Sequence, residues 1–293
     1  MTRAPRGAAL LLVMWMLLLM AGLIAVFALG TRTEALQGSA LRQQVAARLA
    51  AEAGIELASL RLVETDPAAR WVPDGRPQRF EFDGLQVEVS VQDEAGKMDL
   101  NAADAGQLAA LMGWLGVEPD RAEQLAGVIQ DWRDADSLLA VSGGAEDRDY
   151  AAAGLEYGAK DQPFTTLGEL QQLLGMDTAT YRLLVPHVTI HTAMPRPEPG
   201  FAQLPVLQAM GLTPAQAAEL LALRQAWRPG LPLPLLPDGS TLAVNGSGTY
   251  SVASRATRPD GTLVEVHATL RIGAGSGFGQ LYAPLAWRTG EPY

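Results

Sequence analysis

The 293-residue chain contains no cysteine, so no disulfide braces the fold and no thiolate can ligate a metal. That absence does not exclude the periplasm; it means that other forces hold the fold. Histidine is almost as scarce, with three in the chain. His187 and His191 stand four apart, but Thr189, Ile190 and Thr192 around them favour extended backbone and no carboxylate lies close in sequence. A Walker-type phosphate loop, a nucleophile elbow and a His-Glu zinc motif are all missing, which argues against an enzyme. Basic residues are also in short supply. Lys and Arg total 22 against 32 Asp and Glu, for a formal charge of −10. A chain this acidic is a poor partner for phosphate backbones.

What is present starts at the N-terminus. A short leader, Met1–Gly7, carries Arg3 and Arg6 and ends in glycine. Ala8–Gly30 then runs 23 residues without a charge. As a helix that run would span about 35 Å at ~1.5 Å per residue, enough for a hydrocarbon core of ~30 Å. The preceding arginines place the N-terminus in the cytoplasm by the positive-inside rule. Two plainer readings stay open. One is a cleaved secretory signal ending near Ala28-Leu29-Gly30, although its apolar run exceeds the usual h-region length; the other is an uncleaved anchor.

Beyond Gly30, Leu36, Leu41, Val45, Leu49, Leu57 and Leu60 recur at near-helical spacing with no proline before Glu64, which predicts one helix from about Ala8 to about Val63. Strands follow. Phe80 and Phe82 lead to the turn pair Asp83-Gly84, and Leu85, Val87, Val89 and Val91 then alternate with polar residues, a hairpin signal. From Asn101 the pattern turns helical. Asn101 is a candidate cap for a helix bearing Leu108, Leu111 and Leu115. Thr166…Glu169 and Thr213…Gln216 read as capping boxes. Three short helices ending near Gly113, Gly175 and Gly211 resemble helix-hairpin-helix units. Some such units bind DNA, but basic residues are sparse around these. After the proline-rich stretch Arg228–Pro237, strands return around Tyr250–Ala256, Val264–Ile272 and Leu281–Trp287. Two-stranded hairpins are marginal alone, so one antiparallel sheet built from both strand groups is the economical fold.

An acidic segment lies within the helical region. Between Asp131 and Asp161 there are eight carboxylates against Arg133, Arg148 and Lys160, and Ser142-Gly143-Gly144 suggests a loop. Oxygen ligands with flexible glycines and no thiol favour a hard cation, calcium ahead of zinc, although the spacing is not that of an EF-hand. A solvated acidic loop is the plainer alternative. Trp132 and Tyr150 flank the segment and read as core.

The chain resembles the K-type minor pseudopilins of type II secretion systems. The residues that carry the resemblance are Arg6-Gly7 before Ala8–Trp15, Asp93–Asn101, Asp131–Asp136 with Gly143–Asp147 and Asp149-Tyr150, and Pro163-Phe164 before Leu167–Leu170. It departs from pilin-like chains at Leu12, where those families carry glutamate at the fifth mature position, and at Ala8, where Phe or Met is common.

The resemblance implies an α+β fold: a pilin-like long N-terminal helix packed on an antiparallel sheet, with a large helix-hairpin-helix-like domain inserted between strands. The expected order is a leader at 1–7, the transmembrane half-helix at 8–30, a periplasmic half-helix and first strands at 31–99, the inserted helical domain at 100–237, and closing strands at 238–293. It further implies cleavage between Gly7 and Ala8 by a prepilin peptidase with methylation of the new terminus. It implies structural calcium, with Asp134, Asp136, Glu146 and Asp149 as the leading candidate ligands and Asp131 and Asp147 as further ones. Expected partners are the I- and J-type minor pseudopilins, the major pseudopilin and the inner-membrane assembly platform, with contact to secreted substrates also allowed. The expected setting is the bacterial inner membrane, single-pass, with the bulk of the chain periplasmic. The rival of another class is a membrane-anchored helix-hairpin-helix protein that binds DNA.

Overall fold

The computed structural model describes residues 6–141, 143–235, 239, 241–242, 246–258, 260–273 and 281–290. The expected leader therefore lies outside the described residues up to Pro5, as do Leu236-Pro237, Pro259 and most of the expected loop after Gly273.

The first element, α1, runs unbroken from Arg6 to Leu62. Its N-terminal part is long and apolar enough to cross a membrane. There the large side chains from Leu10 to Leu29 are exposed; Phe27 retains 72% of its accessible surface and Leu12 63%. A helix apolar all round with nothing covering it fits a lipid solvent rather than a protein core.

Residues 50–293 form a compact unit of their own. It contains β1 (Asp74–Phe82), β2 (Leu85–Asp93), β5 (Thr249–Thr257), β6 (Leu263–Ile272) and β7 (Tyr282–Thr289), joined in the order β1-β2-β5-β6-β7. Every pairing is antiparallel. The β1–β2 turn is Asp83-Gly84, both at positive φ (49° and 75°), as a tight two-residue hairpin demands. Val89 pairs with Ser254, which pairs with Val266; Val87, Ala256 and Val264 align likewise. The inner face is thus built from Val87, Val89, Val91, Val252, Ala256, Val266 and Leu270, all buried. The last turns of α1 lie on this face through Ala51, Ile55 and Ala58. At Gly54 the approach is so close that an added Cβ would sit 2.2 Å from Ser254 Oγ and 2.8 Å from Val89 Cγ2, a distance only glycine accepts.

The helical block enters between β2 and β5. It comprises α2 (Ala105–Trp114), α3 (Pro119–Arg133), α4 (Asp147–Ala152), α5 (Thr178–Leu184), α6 (Leu204–Ala209) and α7 (Pro214–Ala226). A two-stranded parallel ladder, β3 (Met98–Asp99) with β4 (Val188–Thr189), ties its beginning to its middle; sequence pattern did not anticipate this pair. Three helix ends share one chemistry. At Gly116, Gly154 and Gly211 φ is positive, and the next residue, Val117, Leu155 or Leu212, donates back five positions to Met112, Tyr150 or Leu207. This is the Schellman closure with its apolar follower.

Three details correct the sequence reading. The cap of α2 is Asp104, whose carboxylate accepts from Gln107 N–H at 2.7 Å. Asn101 instead clamps Phe164, donating to its carbonyl at 3.0 Å and accepting from its N–H at 2.7 Å. The glycine that reverses the chain after α2 is Gly116, while Gly113 lies inside the helix. The capping box at Thr166 is present but opens a 3-10 helix, Leu167–Gln172, because Leu173 turns to extended backbone at ψ 135°.

Candidate metal centre

The α3 helix brings the first acidic residue inward. Its apolar face (Leu125, Val128, Ile129, Trp132) is buried in the helical core, and Asp131 shares that inward half, with no exposed surface. Two close approaches make room for it. Gly127 lets the following loop lie against the helix, since a Cβ there would sit 1.7 Å from Gly143 O. At Gly144 a Cβ would sit 1.8 Å from Asp131 Oδ2. The loop therefore wraps the carboxylate with backbone, and Ala140 N–H donates to Asp131 Oδ1 at 3.0 Å. Aromatic packing closes the other side, with Trp132 and Tyr150 buried and their rings 6.0 Å apart.

Asp131, Asp134 and Glu146 converge here, each offering a carboxylate oxygen, and these oxygens lie within 4.8 Å of one another. Asp134 is the residue that ends α3, and Glu146 the one that precedes α4. Two of their oxygens, Asp134 Oδ1 and Glu146 Oε1, are buried without any hydrogen-bond partner. Buried acceptors are normally satisfied, and like charges at this separation repel. The chemistry shows in Glu146: burial, then the charges of Asp131, Asp161 and Asp134, push its pKa up to about 7. Asp131 and Asp134 are likewise raised, in both cases mainly by desolvation. Glu169 is the contrast. Burial would raise it, but hydrogen bonds from Thr165 and Lys160, with others, hold it near 2.

The remaining candidates are placed otherwise. Asp136 is exposed and accepts from Leu138 N–H at 2.8 Å. Asp147 is exposed at the first turn of α4 and packs against Gly158. Asp149 is used as a cap, accepting from Glu146 N–H at 3.0 Å. The segment is thus not one loop, as its composition suggests, but the end of α3, a connection, and the start of α4. Asp161 went unselected in the sequence. It sits at φ 54°, and its charge raises both Asp134 and Glu146. The sign of that unusual turn residue, an Asp before Gln-Pro, was the available clue.

An all-oxygen set with two unpartnered buried acceptors and no nitrogen or sulfur donor fits a hard divalent cation. His187 lies elsewhere, its pKa lowered to about 4 by burial and by Lys97.

Residues 79–193, which enclose this whole cluster, match the family described as type II secretion system, protein K. Curated relatives agree. The type II secretion system protein K of Pectobacterium carotovorum subsp. carotovorum is 28% identical over 78% of this chain and 87% of its own length. That of Klebsiella pneumoniae is 31% identical over 56% of this chain and 55% of its own. In fold, the chain is similar to a chain in the crystal structure of the GspK-GspI-GspJ complex from the enterotoxigenic Escherichia coli type 2 secretion system. That likeness has a TM-score of 0.57 and 23% identity, over 89% of this chain and 99% of that one. None of these relatives supports the DNA-binding alternative. Over residues 79–193 the chain is thus similar to the type II secretion system protein K family, the name these relatives share.

Proposed function

We propose that this minor pseudopilin starts the pseudopilus and stays at its tip. The observation that carries the proposal is Leu12, in the apolar part of α1. In pilin-like assemblies a glutamate at this mature position neutralises the terminal ammonium of the subunit ahead. An unpaired charge in lipid costs on the order of 3 kcal/mol or more, so that pairing drives docking. Leu12 has no charge to offer a subunit ahead. The Ala8 amine, once freed by cleavage after Gly7, could still accept the glutamate of the subunit behind. A chain built this way leads a filament and does not extend one. The large helical block between β2 and β5 supports the same reading, because bulk of this size suits an end of a filament better than its interior.

On this reading the I- and J-type minor pseudopilins are its immediate partners, by analogy with the complex named above. The major pseudopilin, prepilin peptidase and inner-membrane platform act on or with it, the bulk of the chain is periplasmic, and folded export substrates are candidate contacts. The acidic cluster holds structural calcium through Asp131, Asp134 and Glu146. Asp136, Asp147 and Asp149 lie close enough in sequence to complete the shell through water. Calcium there would neutralise the cluster and fasten the end of α3 to the start of α4.

N-terminal sequencing of the membrane-extracted chain, from cells with and without prepilin peptidase, tests the processing step. A mature terminus at Ala8 that requires the peptidase is expected. A terminus at Thr31, or an intact Met1 in both strains, would overturn it. For the tip role, Leu12→Glu should leave processing intact while redistributing the chain along pseudopili, read by immunogold labelling; strict end labelling of both forms would refute the role of Leu12.

A further inference from the structure

One concavity of the described unit is remote from the carboxylate cluster in sequence and opposite to it in sign. It is a trough of about 1000 Å³ between the end of α1, residues 68–72, β1 and the end of α7. Six arginines line it: Arg61, Arg70, Arg76, Arg79, Arg224 and Arg228, with Asp74 the one lining carboxylate. This reverses the sign of a chain whose formal charge is −10.

The six fall into two groups. Arg76, Arg224 and Arg79 are engaged by the fold. Arg76 forks onto Asp74 at 2.9 and 2.6 Å and reaches the carbonyls of Arg224 and Trp227. Arg224 is 4% exposed and donates to Ala202 O and Asp74 O. Arg79 pairs with Glu88 at 2.6 Å. The other three retain donors. Arg61 has a 3.9 Å approach to Glu64, Arg70 uses Nε on Glu64 O at 2.7 Å, and Arg228 uses Nη1 on nearby backbone carbonyls. One more donor is stranded: Arg224 Nε is buried without a partner. A guanidinium that is nine-tenths buried and lines the trough with an unmet N–H is an unusual thing for a fold to retain.

We infer that this trough binds an extended, carboxylate-rich segment of a partner protein. Arginine forks match carboxylates in a bidentate manner. Half-buried Trp71 and Phe80 supply apolar wall between the charges, so a peptide mixing acidic and apolar residues fits better than a free anion. The trough borders β1, an edge strand whose described partner is β2 alone. Pro77 and the register break between Asp74 and Pro77 interrupt that edge, as protected edges do. The occupant is therefore held by its side chains and not by a continued backbone ladder.

The test uses the full-length chain in detergent micelles and fluorescein-labelled octaglutamate as probe, read by fluorescence polarisation. Saturable binding is expected, weakening as salt rises. Arg70→Glu with Arg228→Glu, both exposed positions, should weaken it about tenfold or more, ~1.4 kcal/mol per decade, with an unchanged melting temperature. Arg182→Glu with Arg196→Glu, exposed elsewhere, should leave it intact. No saturation up to about 1 mM, or equal loss in both double variants, would overturn the inference. So would a trough-dependent preference for a single-stranded DNA oligonucleotide or for phosphatidylglycerol vesicles over the peptide.

Discussion

The acidic cluster and the arginine trough concentrate opposite charges, and they handle burial in opposite ways. In the trough, the buried guanidiniums of Arg76 and Arg224 donate to the carbonyls of Asp74, Ala202, Arg224 and Trp227. Those bonds join the end of α7 to β1 and leave a single buried donor there, Arg224 Nε, without a partner. In the cluster, Asp134 Oδ1 and Glu146 Oε1 meet no protein donor, so the fold carries a cost there that a proton or a cation would relieve. His187 shows a third solution: burial and Lys97 hold its pKa near 4, and it simply remains neutral. A buried charge that the protein satisfies itself reads as structure. One it leaves open reads as a place for something else.

Five measurements can break or sharpen this contrast. The largest effect is expected from Gly144→Ala, whose Cβ would overlap Asp131 Oδ2 at 1.8 Å. Overpacking of this kind costs about 3 kcal/mol, and the variant's melting temperature should also stop responding to calcium. Calcium itself comes next. At a hundred times its dissociation constant a ligand of the native state adds about 2.7 kcal/mol, which for a domain this size raises the melting temperature by about 5–10 °C. Chelator should reverse it, and Asp131→Asn should abolish it while Arg79→Ala does not. An unmoved melting curve would return the cluster to the status of a solvated acidic surface.

Third, Arg224→Met should cost about 2 kcal/mol by stranding buried carbonyls, measured by urea unfolding. A neutral result would mean that the trough's inner arginines are as open as its outer ones. Fourth is a pH effect. A histidine whose folded pKa is depressed favours folding fully above its unfolded value of 6.5, and that contribution is lost as pH falls toward 4. His187→Gln should flatten the stability profile across this interval, and an unchanged slope would contradict the assignment. The smallest effect belongs to Arg79→Ala. Its partner Glu88 is a third exposed and Arg79 itself three-quarters exposed, so no more than about 0.5 kcal/mol is at stake.

What the sequence makes legible is local. Alternating valines of β2, the Asp83-Gly84 turn, the membrane-length run and the capping boxes at Thr166 and Thr213 each express a short-range preference, and each is found in the fold. Asp131 and Glu146 were legible as acidic residues in a glycine-bearing stretch. Their convergence with Asp134 was not, since it depends on Gly127 and Gly144 admitting a loop against a helix. Asp104 was missed as a cap because Asn101 competes for the role on propensity alone, and only the docking of Phe164 decides it. The arginine trough was invisible for a simpler reason. Its residues come from 61–79 and 224–228, stretches that meet only after the intervening block has folded.

One small arrangement governs how that block relates to the sheet. Asp93, at the end of β2, accepts from the N–H and hydroxyl of Ser247 at 2.7 and 2.6 Å, 154 positions later. It also faces Tyr250 in the β2–β5 register. To the sheet, everything between is a single connection between two neighbouring strands, knotted shut at its neck. Closure entropy grows only with the logarithm of length, so even a flexible connection of that size costs about 3 kcal/mol more than a four-residue one, and less once it folds alone. The order of events matters more than the cost. The β2–β5 ladder must wait for a distant stretch of chain to arrive, which makes it a slow, long-range step. Until it forms, β2 has an open edge, with its backbone donors and acceptors unpaired on that side.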